Sequence, residues 1–428
     1  MRGMKSLSVY VVGVLLGTYS AASSQQLPPA DLDANARLEQ DFLAYQPRYK
    51  EMRSERIAKT RALAQQVFAL ETAGKPTACS HQILFELESL LISSADFAFI
   101  DRRIRDLAAS LSESPQVQQN ALHQDPRDGL AGACYDQWFL KVYASYEEIK
   151  KQEAKDQPPQ PLPRFLDRVN TPDKLRAYFD SIAISDVRAT GVDHERELNE
   201  MLSSLTRIII NGQPGNYSVD PSLQSAMLDL VLHHFRNPET GWWGERYLRP
   251  GGTDFVDDLS ITFHEVSYLK DRIPDMQKVI ATALAVKDLN YPVGWLWQGR
   301  YWNHNNMDVI TLFRAGWKSV DEAQQRAMAA EIEKMLDWCL HESLQPDGSF
   351  KVALPDGSVE DAEYYGIEFL VRLGFFDPAQ RFWTDRQFPE ASAVRVRLRA
   401  FLQQHRTTGG AGGAGYQSAW RDLENTLR

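Results

Sequence analysis

One turn recurs along the second half of the chain. It reads Asn237-Pro-Glu-Thr-Gly-Trp-Trp243, then Asn290-Tyr-Pro-Val-Gly-Trp295, then Gln345-Pro-Asp-Gly-Ser-Phe350, with its glycines 53 and 54 residues apart. A predicted helix precedes each copy, over Leu223–Phe235, Met276–Lys287 and Glu322–Ser343. Another follows each copy after a loop, over Asp257–Lys270, Asn306–Trp317 and Asp361–Leu373. A degenerate earlier copy reads Ala189-Thr-Gly-Val-Asp193, followed by a helix over Arg196–Ile210. A long period made of two helices and a turn marks stacked helical hairpins, because one hairpin cannot bury its apolar face alone. No period-two alternation is long enough to argue a main sheet.

Such hairpins either extend as a solenoid or close into a ring. The second helix of each pair is short and apolar, as an inner-ring helix would be. The expected fold is therefore all-α, an (α/α) toroid that is closed or incomplete, with few or no strands. Residues 27–406 form it, with N-terminal helices over 27–160 and repeat hairpins over 164–406. The first part carries helical patterns at Leu38–Arg53, Ile57–Leu70, Ile83–Ile92, Phe97–Leu111 and Trp138–Lys151. A loop is expected from Ser112 to Gly132, and the Pro-rich run Gln157–Pro163 reads either as a linker or as a crossing strap. Residues 407–428 read as a Gly-rich segment and a C-terminal helix.

Residues 1–24 have the form of an export leader. Arg2 and Lys5 precede the short apolar run Val9–Leu16, and the small residues Ala21-Ala-Ser-Ser24 follow. No later run is long enough to span a bilayer. A secreted or periplasmic chain is expected, without a membrane span once the leader is removed. The net charge of −10 becomes −12 when Arg2 and Lys5 are lost, which disfavours a nucleic-acid partner. Cys79 and Cys134 could pair in an oxidising compartment, or could remain thiols; Cys339 lies in an apolar helix and is expected to be buried. No Cys/His cluster suggests a metal, and no cofactor is expected.

The densest chemistry lies in Pro292–Asp308, which holds three Trp, three Asn, one Tyr, one Arg and one His in seventeen residues. Rings stack on the apolar faces of sugars, while amides and imidazoles pair with hydroxyls or carboxylates. The plainer alternative is an aromatic loop capped by Asn305 or Asn306 at a helix start. Candidate stacking residues are Trp242, Trp243, Trp295, Trp297 and Trp302; candidate polar contacts are Arg246, Arg300, Asn306 and Tyr364.

The turns NPETGWWG and QPDGSF among paired helices resemble the α/α-toroid superfamily, which includes polysaccharide lyases, glycoside hydrolases and terpenoid cyclases. Among the carbohydrate-active members, Asn303-His304 beside Trp302 resembles the Asn-His element of alginate-lyase-type toroids. The Asp347–Phe350 turn before Tyr364-Tyr365 resembles the region that supplies their catalytic Tyr. This resemblance implies a lyase acting on an alginate- or glucuronan-like polyuronate. Asn303 and His304 would then handle the carboxylate, and Tyr365 and His264 the protons. On a helix Tyr364 and Tyr365 point about 100° apart, so one of them is expected to face the interior. A β-eliminating site must neutralise the substrate carboxylate and place a base and an acid near one carbon. The main rival is a glycoside hydrolase using Asp257, Asp258 and Glu245, and a second is a non-catalytic sugar-binding protein.

Overall fold

The computed structural model describes residues 34–151, 158–352, 359–405, 419, 420 and 423. The expected leader and the glycines of 409–415 lie outside the described residues. Those residues are mostly helical and carry one three-stranded sheet.

Six helices come first: α1 (Ala34–Tyr45), α2 (Tyr49–Thr72), α3 (Ala78–Ser93), α4 (Phe97–Ser110), α5 (Pro115–Asn120) and α6 (Trp138–Lys151). The expected helix Leu38–Arg53 is divided at 46–48, where Pro47 cannot donate to the ladder. α5 arises inside the expected loop, started by Ser114, whose hydroxyl accepts the Val117 N–H, and by Pro115. A disulfide joins Cys79 at the start of α3 to Cys134 before α6, and Cys339 is a buried thiol. The Pro-rich run is a strap rather than a free linker: Gln160 exchanges backbone hydrogen bonds with Asn216 and Ser218.

The repeats then follow as α7 (Pro172–Ile182), β1 (Ile184–Ser185), the one-turn α8 (Val187–Thr190) and α9 (Glu195–Leu205). Next come α10 (Pro221–Asp229), β2 (Gly244–Arg249), β3 (Gly252–Asp257) and α11 (Leu259–Leu269). The chain continues as α12 (Met276–Ala285), α13 (Asn303–Gly316), α14 (Glu322–Trp338), α15 (Val359–Arg372) and α16 (Ala391–His405). Side-chain caps fix several starts. Thr171 accepts the Lys174 N–H before α7, Asp220 the Ser222 N–H before α10, and Asp321 the Gln324 N–H before α14. α9, α10 and α14 each end in a π-helical turn, at Thr206–Ile210, Leu230–His234 and Cys339–Ser343.

The three recurring turns share a backbone hydrogen-bond pattern. Gly241, Gly294 and Gly348 each donate their N–H to the residue that opens the turn, Asn237, Asn290 and Gln345. Each turn is closed by a short bridge, Arg236 to Trp243, Asn290 to Leu296 and Leu344 to Phe350. Gly348 has φ +95°, and a Cβ there would lie 2.6 Å from the Arg397 carbonyl oxygen, so only glycine fits. The second helices of the hairpins pack in chain order, α9 on α11, α11 on α13 and α13 on α15, while α6 lies on α9.

The single small sheet agrees with the expectation of few strands. β2 and β3 form an antiparallel hairpin closed at Gly252, and β1 pairs with β2 in parallel. Its alternation spans only a few residues: Glu245 and Tyr247 turn inward while Leu248 is exposed. Among the described residues no helix is long and apolar enough to cross a membrane.

Candidate active site

α13 buries Val309, Ile310, Leu312 and Phe313 and keeps a polar stripe of His304, Asp308 and Thr311, spaced four and three residues apart. The His304 side chain is 30 % exposed. Its ring lies flat on Tyr365 of α15, with centroids 3.7 Å apart and planes 9° apart. Tyr364 meets Tyr365 edge-on at 5.1 Å, so Tyr365 is the tyrosine on the imidazole. Trp302 meets the edge of His304 at 4.9 Å and Trp297 at 5.1 Å. Trp297 and Trp302 are half-buried, so this aromatic wall is open to solvent.

His264 comes from the facing turn of α11 and is also half-buried. Its Nδ1 lies 2.9 Å from the Tyr268 hydroxyl, one helical turn on. Crowding by protein pushes both imidazoles down to about 3. The charge of His304 and then Arg207, Arg196 and Arg372 depress His264 further, and Arg196 does the same to His304. Both rings are therefore neutral near pH 7, each with one N–H donor and one lone pair.

The cations come from α9 with its π-helical continuation and from α15. Arg196 of α9 pairs with Glu200 at 2.7 Å. Arg372 of α15 holds Glu368 at 2.8 Å and the Thr311 hydroxyl at 2.9 Å. Arg207 lies over the rings of Tyr146 and Tyr268, 4.7 and 4.8 Å from their centroids. Asp308, 1 % exposed, keeps its carboxyl group uncharged through burial, against the pull of Arg372. The two imidazoles and Arg207 are half-buried, so the cluster is reached by water.

A second polar cluster is buried beside it. Asp258 caps α11, with Oδ1 accepting the Ile261 N–H at 2.8 Å. Its Oδ2 is buried against Glu195 and the Tyr291 hydroxyl without a hydrogen bond of ordinary geometry, as is Glu195 Oε1. Glu245 accepts the Ser185 hydroxyl and contacts Asp193, and the Tyr247 hydroxyl donates to Asp193 Oδ1 at 3.1 Å. Burial raises all four carboxyl groups, Asp258 to about 7. Glu195 and Glu245 are pushed furthest above the ordinary carboxylate range, and the acids titrate as contacting pairs.

The expected residues thus separate. His304, Tyr365, Tyr364, His264, Trp297 and Trp302 come together. Trp242, Trp243 and Trp295 do not join them, because all three are fully buried. The indole N–H groups of Trp242 and Trp243 are spent on the Val279 and Val231 carbonyls, so these rings support the turns and cannot stack on a ligand. Asn303 is 2 % exposed and donates to the Ser343 hydroxyl at 3.0 Å, which removes it from carboxylate handling. Asn305 donates to the Trp295 carbonyl, and Asn306 is fully buried. Neither caps α13, which begins at Asn303. Arg246 alternates away from Glu245, donating to the His234 carbonyl and lying over Phe255. Arg300 is exposed in the Trp297–Arg300 turn. Asp257 accepts from Asn237 at 3.0 Å and ties the first turn to the sheet, apart from the Glu195–Asp258 contact.

Glu195, Arg196, Arg207, Tyr268 and Arg372 were not among the expected site residues. Arg196 and Arg207 are eleven residues apart, close to three helical turns, so they share a face of α9 and its continuation. That spacing was present in the helix recognised as a degenerate repeat. No protein-family model, curated protein or solved structure matches the chain.

Proposed function

We propose that the hairpins close into an α/α toroid and that this exported protein cleaves a uronic-acid-containing polysaccharide by β-elimination. Helices α6, α9, α11, α13 and α15 form the inner wall in this arrangement. The observation that carries the proposal is the stacking of Tyr365 on His304, with His264 and the charges of Arg196, Arg207 and Arg372 close by. A uronate contributes the one thing the cluster lacks, a mobile negative charge. Its carboxylate offsets the cations that depress both imidazoles, so substrate binding raises their basicity. One imidazole lone pair then removes the proton next to the carboxylate, while N–H and guanidinium donors stabilise the enolate-like state. Tyr365 delivers a proton to the departing glycosidic oxygen, and Trp297 and Trp302 stack on the sugar rings.

The hydrolase alternative is weaker on geometry. Glycosidase carboxyl groups stand about 5 Å or more apart with the scissile bond between them. Glu195 and Asp258 contact each other, as do Asp193 and Glu245, so neither pair has that separation. Asp257 is engaged by Asn237.

The test is turnover of polyuronates by the mature protein and by His304→Ala and Tyr365→Phe, followed by ultraviolet absorbance of the new conjugated double bond. Each variant should lose about 100-fold or more in kcat while keeping the wild-type Tm. Undiminished turnover in both would refute the assignment.

A further inference from the structure

Three arginines surround His264, and they are not equivalent. Arg196 is neutralised by Glu200 and Arg372 by Glu368. Arg207 makes no ion pair among the described residues, although it is half-buried. The acids nearest its neighbour Tyr268 are already committed. Glu147 faces Lys150, and Glu265 is fully buried, receives the Thr206 hydroxyl and is held protonated by burial. A half-buried guanidinium without a carboxylate partner is costly to keep, and a hydroxyl does not neutralise its charge.

Its mounting indicates what that occupant is. Tyr146 from α6 and Tyr268 from α11 take the guanidinium carbon 4.7 and 4.8 Å from their ring centroids, fixing its position by cation–π contact. The Tyr268 hydroxyl also accepts a hydrogen bond from the guanidinium, which engages only part of its N–H donors, and the remaining donors suit a carboxylate. Arg207 stands on the π-helical turn that ends α9, an irregularity often found where a helix serves a site. Tyr268, against which it lies, also reaches His264 Nδ1 at 2.9 Å. An anion on Arg207 is therefore one side chain away from an imidazole.

We infer that Arg207 is the carboxylate-binding residue of this site, gripping the carboxylate of a uronate through the N–H donors that Tyr268 does not engage. The identity of the sugar rests on the lyase proposal; the anion site rests on the Arg207 geometry alone. Arg207 replaces Asn303 in the carboxylate role.

The experiment uses uronic acid monomers, which have no glycosidic bond to break. Ligand-observed NMR titrations of the full chain would compare glucuronate, galacturonate, mannuronate and guluronate with glucose. At least one uronate should bind saturably and more tightly than glucose, and Arg207→Gln should weaken it about tenfold or more. Arg207→Lys should fall between the two, since an ammonium keeps the charge and loses the planar fork. The methyl ester of the same uronate, tested on the wild-type protein, should bind no better than the acid binds to Arg207→Gln. That ligand-side comparison and Arg207→Lys decide the matter if Arg207→Gln does not fold. A folded Arg207→Gln with wild-type affinity, an ester that binds like the acid, or no uronate preferred over glucose would each overturn the inference. The two proposals fail separately. Arg207-dependent uronate binding without any elimination leaves the anion site standing and removes the lyase. Elimination by Arg207→Gln at the wild-type KM does the reverse.

Discussion

Replacing Glu265 by Gln should stabilise the protein, and by an amount that grows with pH. Glu265 is fully buried on α11, and the Thr206 hydroxyl lies 3.0 and 3.3 Å from its two oxygens. Burial pushes its pKa up to about 8, with the Thr206 hydrogen bond acting in the opposite direction. In the unfolded chain the same group ionises near its ordinary value of about 4.3. A raised acid contributes stability that is fully present below the unfolded pKa and is lost as pH rises to the folded one. The loss accrues at about 1.4 kcal/mol per pH unit. Across the window from about 4.5 to 8 the sum is on the order of 4–5 kcal/mol. Gln has the same shape, accepts the Thr206 hydroxyl and does not ionise. The variant should therefore match the wild type near pH 4.5 and gain on it steadily up to pH 8. Unfolding entropy for a chain of this length converts about 1 kcal/mol to roughly 1 °C in Tm. Melting followed by circular dichroism at pH 4.5, 6 and 7.5 should show a widening gap of a few degrees. A gap that does not change with pH, or a variant less stable at pH 7.5, would mean that Glu265 is ionised in the fold.

Three further outcomes follow from packing and from the site. Trp243→Ala should cost about 3–5 kcal/mol of stability in denaturant unfolding, because it empties a fully buried site and releases the Val231 carbonyl. Trp297→Ala should leave Tm nearly unchanged and raise KM for the polysaccharide, since this ring is half-buried on the aromatic wall. Gly244→Ala should destabilise by several kcal/mol, roughly the upper range for single substitutions, because a Cβ there would lie 1.9 Å from the Val256 carbonyl oxygen. Equal Tm values for Gly244→Ala and wild type would show that β2 can move away from β3.

The repeat was legible because it is written in backbone chemistry. Pro and Gly at fixed offsets force a turn whatever surrounds it, and the apolar periods on either side give helices whose bounds agree closely with α10 to α15. Burial was less legible. Trp242, Trp243 and Trp295 read as ligand rings because a tryptophan beside a turn looks the same in sequence whether it faces a cavity or the space between two helices. The same holds for Asn303 and His304, which are adjacent on α13 yet meet different partners, Ser343 for one and Tyr365 for the other. The β2–β3 hairpin escaped because its inward face is polar, Glu245 and Tyr247, so alternation in hydrophobicity is absent. Arg207 and Glu195 lie on a helix whose turn motif had degenerated, and they meet α11 and α6 only through tertiary packing.

The central claim, elimination at His304 and Tyr365, is tested most directly by counting two products in one sample. The protein would be incubated with each polyuronate, and conjugated double bonds and new reducing ends measured together. The expected result is equal molar yields on one polyuronate, both abolished in His304→Ala. Reducing ends without double bonds would contradict the account, because they require water rather than an elimination to have broken the glycosidic bond.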